Sequence, residues 1–507
     1  MKIACLGGGP AGLYFAISMK LRDASHDITV IERNRADDTF GWGVVLSDET
    51  LANLKKNDPV SAEAIQKFFA YWDDIALVHQ GKRLVSSGHG FCGIGRRKLL
   101  ELLQERAVAL GVKLEFETEI DDIEALCDQH DLVIAADGVN SRTRAHFEEH
   151  FKPEVDRRAC KFVWLGTNQK FDDAFTFIFE NTEHGWVWAH AYQFDSDTAT
   201  FIVECSEATW DAWGFGSMSQ DESIAACERI FAAHLDGNGL MSNARHLRGS
   251  AWLNFNRVLC ETWFHRNVVL LGDSSATAHF SIGSGTKLAL ESAISLADLI
   301  HSEDRLETAF ARYQEDRRLD VLRLQSAARN STEWFEDVER YLHLDPVQLN
   351  YSLLTRSQRI SHENLRVRDA KWLKSAEMWF QQQAGADGGH RAPMFAPYRL
   401  RDMHLKNRLV VSPMAQYKAV DGTPTDWHMV HYGELAKGGA GLLYPEMTCV
   451  SAEGRLTPGC PGLYAPAPEA SSKRIVDFVH AEPDANFSMK IGHARRTGPT
   501  QAGCGDV

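Results

Sequence analysis

Three textures of apolar and polar residues follow one another along the chain. Largely apolar runs at residues 3–6, 28–31, 132–136 and 268–271 read as strands buried on both faces, the pattern of a parallel sheet. Helical spacing lies between them: an alanine-rich stretch follows Gly12, and Leu99, Leu100, Leu102, Leu103, Ala107 and Leu110 recur until Gly111. Residues 61–71 also read as a helix, and residues 75–79 as a strand turning at Gln80-Gly81-Lys82. Strand and helix in alternation predict an α/β unit. From Phe162 to about Trp213 the texture changes to alternating apolar and polar residues, as in Thr176-Phe177-Ile178-Phe179, which predicts an antiparallel sheet. Helical spacing returns over residues 307–342, where Trp334 and Phe335 pack the helix on the body.

Composition narrows the class. The 507 residues allow two to four domains, and 44% hydrophobic content supports large cores. A net charge of -15 argues against a general nucleic-acid partner or an acidic membrane surface. No run of about 18 apolar residues exists, and the first strand starts at Lys2, so a cytoplasmic protein without membrane attachment is expected. The ten cysteines are scattered without close pairs; no metal site is expected, and Cys5 reads as strand packing.

The chemistry begins in the first turn. Gly7-x-Gly9-Pro10-Ala11-Gly12 joins a strand to a helix, where Gly7 can take a positive φ, Gly9 can admit a pyrophosphate and Gly12 can let helix and strand touch. Glu32, followed by Arg33, ends the second strand twenty residues after Gly12, where a carboxylate can accept from a ribose. The other reading is an ordinary strand-turn-helix unit. Gly41-Trp42-Gly43 reads either as a loop laid on something flat or as a strand with its aromatic in the core. Arg96 opens a helix against the dipole, which suits either a nearby anion or a solvated turn. Asp137 and Asp273 each stand at a strand's carboxyl end, the edge where such sheets bind ligands. Gly283-Ser284-Gly285 opens another long helix and exposes amides at its positive end. Trp164, Trp186, Trp188, Trp210 and Trp213 are either core or pocket wall.

Together Gly7-x-Gly9-x-x-Gly12, Asp137-Gly138 and Gly272-Asp273 resemble the FAD-dependent aromatic hydroxylases of the para-hydroxybenzoate hydroxylase type, over about residues 1–380. Residues 41–47 and 277–287 look closest to the aryl-CoA hydroxylases, the group of anthraniloyl-CoA monooxygenase and salicyloyl-CoA 5-hydroxylase. The resemblance implies FAD held by Gly7, Gly9, Pro10, Ala11, Gly12, Glu32, Arg33, Arg96, Asp137, Asp273, Gly283, Ser284 and Gly285. It implies NADH or NADPH as a transient reductant, O2, and hydroxylation of an aromatic acyl-CoA. Trp42 and His279 are candidate substrate contacts; His279 is otherwise a loop histidine satisfied by backbone. Acid-base residues are not identified. After Gly-Asp the group usually reads Ala-Ala-His, whereas this chain has Ser274-Ser275-Ala276.

Residues 381–393 have linker composition. Beyond them, residues 405–415 and 438–446 resemble the opening of the FMN-dependent (β/α)8 barrels of the old-yellow-enzyme family, with Met489-Lys490-Ile491-Gly492-His493 as a third strand. Residues 501–507 leave that pattern. A closed barrel takes about 250 residues, so an incomplete barrel with no FMN site and exposed apolar edges is expected over residues 394–507. The expected plan is FAD-binding parts at about 1–160 and 260–340, a substrate sheet at about 161–259, then linker and barrel start. Three readings stand: an acyl-CoA hydroxylase, a hydroxylase of a free phenol or indole, or an inert truncated flavoprotein. A homo-oligomer is left open.

Overall fold

A computed structural model gives the structure, and it describes residues 1–39, 41–171, 174–243, 251–386, 391–481 and 485–494. Phe40, residues 387–390 of the expected linker and residues 501–507 lie outside the described residues. The chain packs as two units, Met1–Trp372 and Leu373–Val507.

The first unit is built on a six-stranded sheet in the order Phe264–His265, Val268–Leu270, Leu132–Ala135, Lys2–Leu6, Asp27–Ile31, Lys113–Glu115. All neighbours are parallel except the first pair. These strands carry no polar alternation because both faces are covered: Ile3, Ala4, Cys5, Leu132, Val133 and Ile134 are all fully buried. Helix Pro10–Arg22 packs between Gly285–Ser302 and Arg96–Ala109, and all share the same core.

The alternating stretch forms a mixed eight-stranded sheet that is wider than residues 161–259. It starts at Pro153 and takes in the hairpin of Asp74–His79 and Lys82–Ser86. Asp74–His79 runs parallel to Ala174–Thr182, so the sheet is not purely antiparallel. Alternation reports which face a residue occupies, not which strand lies beside it, and this edge comes from far upstream. Trp210 and Trp213 lie on a helix, Glu207–Trp213, capped by the Ser206 hydroxyl, not on the sheet.

A further correction concerns residues 61–71. The helix is Pro59–Gln66, and Ala70–Trp72 is a strand of a small sheet with Phe91–Gly95 and Gly43–Leu46. The aromatic cluster Tyr71-Trp72 favours a pleated surface over a helical turn. Long helix Leu306–Glu336 buries Trp334 and Phe335.

In the second unit Val410–Val411, Leu442–Leu443 and Asn486–Phe487 pair in parallel, with helices Asp426–Lys437 and Pro466–Ala481 between them. Their core is small, centred on Tyr432, Ala436, Leu443, Ile475 and Val479. Ile491–Gly492, expected as the third strand, pairs instead with Thr448–Cys449. Gln381, Gln382 and Gln383 end the helix Ala370–Gln383 where linker was expected. Met394, Phe395, Trp427 and Val430 are exposed. No helix among the described residues is long and apolar enough to cross a membrane.

Candidate functional site

The first strand ends at Gly7, whose φ is +108° and whose amide donates to the Ile31 carbonyl at 2.8 Å. A methyl group there would lie 2.2 Å from the Ala136 carbonyl oxygen, and one at Gly12 would lie 2.2 Å from the Gly7 carbonyl oxygen. Both positions therefore require glycine, because three backbone segments meet within van der Waals reach. Gly9 differs: a methyl group there would meet no protein atom within 4 Å. Its face is open, and with Pro10 starting the helix the loop presents a positive helix end to that space.

Glu32 fixes this loop. One carboxylate oxygen accepts from the Gly8 amide at 2.8 Å, and the other accepts from the Asn34 amide and side chain, each at 2.8 Å. Across the sheet edge, one Asp137 oxygen accepts from the Thr143 amide and hydroxyl, both at 3.1 Å. The other, Oδ1, is buried without a protein partner. Asp273 projects into the same space and is open to it; desolvation raises its carboxyl, and Arg96 and Arg144 oppose the rise. Burial in turn lowers the Arg96 guanidinium, against the pull of Asp273. At the far side Ser284 and Gly285 begin the helix Gly285–Ser302, with no side chain capping its amides.

These groups surround one cavity of about 700 Å³. Gly7, Gly9, Pro10, Ala11, Glu32, Arg33, Arg96, Asp137, Asp273, Gly283, Ser284 and Gly285 all line it. Gly12 stands behind the loop, packed on Gly7. The sheet supplies the remaining wall, chiefly Phe162, Trp164, Phe175, Tyr192 and Phe255, joined by Phe280. Two helix N-termini and Arg96 offer donors, and Asp273 with the orphaned oxygen of Asp137 offers acceptors, a set that fits the pyrophosphate and sugar of a dinucleotide.

Neither Trp42 nor His279 lines this cavity among the described residues. Trp42 is half-buried, with its ring so close to Gly166 that a methyl group there would lie 2.6 Å from it. Its indole packs a strand entry, the core alternative. His279 is buried behind Phe255 and Phe280, with ring centroids 4.7 and 4.1 Å away. Its Nδ1 accepts from the Ser281 amide at 3.2 Å, and burial pushes its pKa down to about 4, so it is neutral. Of the tryptophans weighed as pocket wall, Trp164 alone among the described residues lines the cavity.

Some functional geometry was not read from the sequence. Arg144 is buried and ties two motif loops together, donating to the Ser274 carbonyl at 3.0 Å and the Val139 carbonyl at 2.6 Å. An arginine seven residues after Asp137 on the short helix Arg142–His146 was the available signal. Ser274 and Ser275, which depart from Ala-Ala, complete the turn: Ser274 donates to the Ala135 carbonyl at 2.5 Å and Ser275 to the Gly272 carbonyl at 2.8 Å. Tyr192, whose hydroxyl donates to the Gly43 carbonyl at 2.9 Å, and Phe280 carried no local signal.

Known proteins match in the same places. The FAD binding domain family matches residues 1–324, and the NADH:flavin oxidoreductase / NADH oxidase family matches residues 393–500. A salicyloyl-CoA 5-hydroxylase from Streptomyces sp is 38% identical over 434 residues, covering 83% of this chain and 81% of that protein. Protodeoxyviolaceinate monooxygenase from Chromobacterium violaceum is 35% identical over 353 residues, covering 69% of this chain and 92% of that protein. The solved structure of 2-methyl-3-hydroxypyridine-5-carboxylic acid oxygenase superposes with a TM-score of 0.54 at 18% identity, over 73% of this chain and 99% of that one, and speaks for the fold alone. With its cofactor-sized cleft, its FAD binding domain and monooxygenases as relatives across most of its length, this chain belongs to the FAD-dependent aromatic monooxygenases.

Proposed function

We propose that this chain hydroxylates the ring of an aromatic acyl-CoA of the anthraniloyl or salicyloyl kind, using NADH or NADPH and O2. One observation carries the choice of a thioester over a free acid. Every described residue that the mixed sheet contributes to the cavity wall is uncharged: Phe162, Trp164, Phe175, Tyr192, Leu253, Asn254, Phe255 and Asn256. A carboxylate against that wall would be desolvated without a counter-ion, whereas a thioester carbonyl carries no such cost. The name of the Streptomyces relative points to the same substrate class.

When bound, FAD supplies the redox chemistry. The residues' work is to place and shield. Gly7, Gly9, Pro10, Ala11 and Gly12 would hold the pyrophosphate at the first helix end, Glu32 and Arg33 would face the adenosine, and Asp137 would offer its free oxygen to a hydroxyl. Arg96 and Asp273 would set the charge beside the phosphates, and Gly283, Ser284 and Gly285 would lie along the ring system. The aromatic wall orients the substrate by edge and face contacts and keeps water away. No dedicated proton-transfer residue is assigned. The second unit, in this reading, holds no FMN and takes no part.

The test is NADH and NADPH oxidation with product mass, measured with anthraniloyl-CoA, salicyloyl-CoA and their free acids. Oxidation stimulated by a thioester, with one added oxygen in the product, is expected. Equal turnover of a free phenol, indole or acid would replace the thioester reading, and absence of bound FAD and of any oxidation would remove both.

A further inference from the structure

Arg356 stands just past helix Pro346–Thr355, outside the stretch matched by the FAD binding domain family. Its guanidinium serves acceptors on three segments. It donates from Nη2 to the Ser281 carbonyl at 2.8 Å, from Nε to the Ser331 hydroxyl at 3.0 Å and from Nη1 to the Leu353 carbonyl at 2.7 Å. The Ser331 and Ser281 hydroxyls also meet at 2.9 Å. The cation lies 4.8 Å from the centroid of Phe177 and 5.3 Å from that of Phe335, and no carboxylate among the described residues pairs with it. Burial lowers its pKa to about 10, so it keeps its charge at neutral pH. A half-buried cation without a counter-ion carries a desolvation cost, and main-chain acceptors with aromatic faces are what offset it here.

The position of Ser281 gives this arrangement its use. Ser281 sits inside the turn Phe280–Ile282, which closes through the Gly283 amide on the Phe280 carbonyl at 2.9 Å. Phe280 and Gly283 line the cavity on either side, and Ser281 itself is turned inward and buried. The turn is therefore held from behind at Ser281, by the Arg356 fork and by Ser331. We propose that Arg356 is a positioning residue that fixes the Phe280–Gly283 wall of the cavity in the geometry needed for productive hydroxylation. The role rests on the reading that ring hydroxylation takes place in this cavity. Arginine is required because a planar fork reaches acceptors in three directions; an ammonium at the end of a lysine cannot span them.

The test compares wild type, Arg356→Lys and, as a milder change on the same contact, Ser331→Ala, all as full-length FAD-loaded protein. Hydrogen exchange is followed over residues 277–288, with residues 185–205 as the internal control. Arg356→Lys should speed exchange of the turn amides about tenfold or more and leave the control strands protected, and Ser331→Ala should act in the same direction. Turnover should show the same fault: product formed per NAD(P)H oxidised should fall about threefold or more, with hydrogen peroxide making up the difference, while KM for the nicotinamide stays near wild type. Unchanged exchange of the turn in both variants overturns the proposal whatever the substrate proves to be. So does altered exchange with unchanged coupling, which would make the contact merely structural. If Arg356→Lys does not fold, Ser331→Ala decides by the same two readings. A wild-type protein that turns over no aryl-CoA would sink the substrate reading, and the exchange result would still judge the contact.

Discussion

Gly7 and Gly9 stand two residues apart, and single methyl groups should separate their roles. At Gly7 an added methyl faces both a φ of +108° and a backbone oxygen at 2.2 Å, so Gly7→Ala should lose about 2 kcal/mol or more of stability and be poorly soluble. At Gly9 the φ is -76° and the methyl meets no protein atom, so Gly9→Ala should keep the thermal midpoint of the FAD-free protein. It should nonetheless weaken FAD binding about tenfold or more, read by flavin titration. Unchanged affinity in Gly9→Ala would mean that the open face of the loop is not where the phosphates lie. His279 gives a second residue-scale expectation. Its folded pKa of about 4 lies below the ordinary value of 6.5, so between those pH values the unfolded chain takes up a proton that the folded one refuses. Stability is therefore intact above pH 6.5 and should fall as pH drops toward 4, by about 1–2 kcal/mol from this group between pH 7 and 5. His89, also lowered to about 4 by burial, adds to the slope. Urea denaturation at pH 7 and pH 5 should show the loss, and His279→Asn should make it smaller; an equal loss in the variant would assign the slope elsewhere.

Strands Gly185–Gln193 and Ala199–Cys205 are neighbours in the mixed sheet, and a buried carboxylate holds them together across their shared face. Glu204 accepts from the Trp188 indole at 2.9 Å and from the His190 ring at 3.0 Å, with all of them almost wholly buried. Truncation by Glu204→Ala leaves two buried donors unserved, so a loss of about 3 kcal/mol or more is expected in chemical denaturation. A loss below about 1 kcal/mol would mean that water or a shifted side chain replaces the carboxylate. This contact also marks where sequence reasoning ran out. The glycine turn, the Asp-Gly and Gly-Asp strand ends and the helix opening at Gly285 were legible because each is a local pattern whose backbone demands are met within a few residues. Glu204 was not, since alternation treats a buried glutamate on a strand as an outward position. The aromatic wall was equally hidden: Phe162, Phe175, Tyr192, Phe255 and Phe280 come from separate strands and a turn, and their convergence depends on register and on a parallel edge that no periodicity encodes. Trp42, open to both a platform and a core reading, is the reverse case. The flanking glycines fit a packed strand entry: a methyl group at Gly41 would lie 3.2 Å from the Trp164 ring and one at Gly43 2.7 Å from Phe194.

At the scale of the molecule, every described residue lining the cavity lies between Leu6 and Ala289, inside the first unit. The chain ended after Ala386 should therefore fold, bind FAD with wild-type stoichiometry and keep hydroxylation close to the full-length rate. The second unit should bring no flavin of its own. An FMN barrel usually grips phosphate with the loops after its seventh and eighth strands, and closing such a barrel takes about 250 residues. The family match here runs over residues 393–500, and the described residues supply three parallel strands with a core of a few side chains around Tyr432 and Leu443. Flavin released by heat from the purified full-length protein, separated by chromatography, should be FAD alone at about one equivalent. A second equivalent, as FMN, would show that the C-terminal unit holds a cofactor site of its own. Loss of hydroxylation in the chain ended after Ala386, with FAD still bound, would show that the second unit contributes to the monooxygenase reaction.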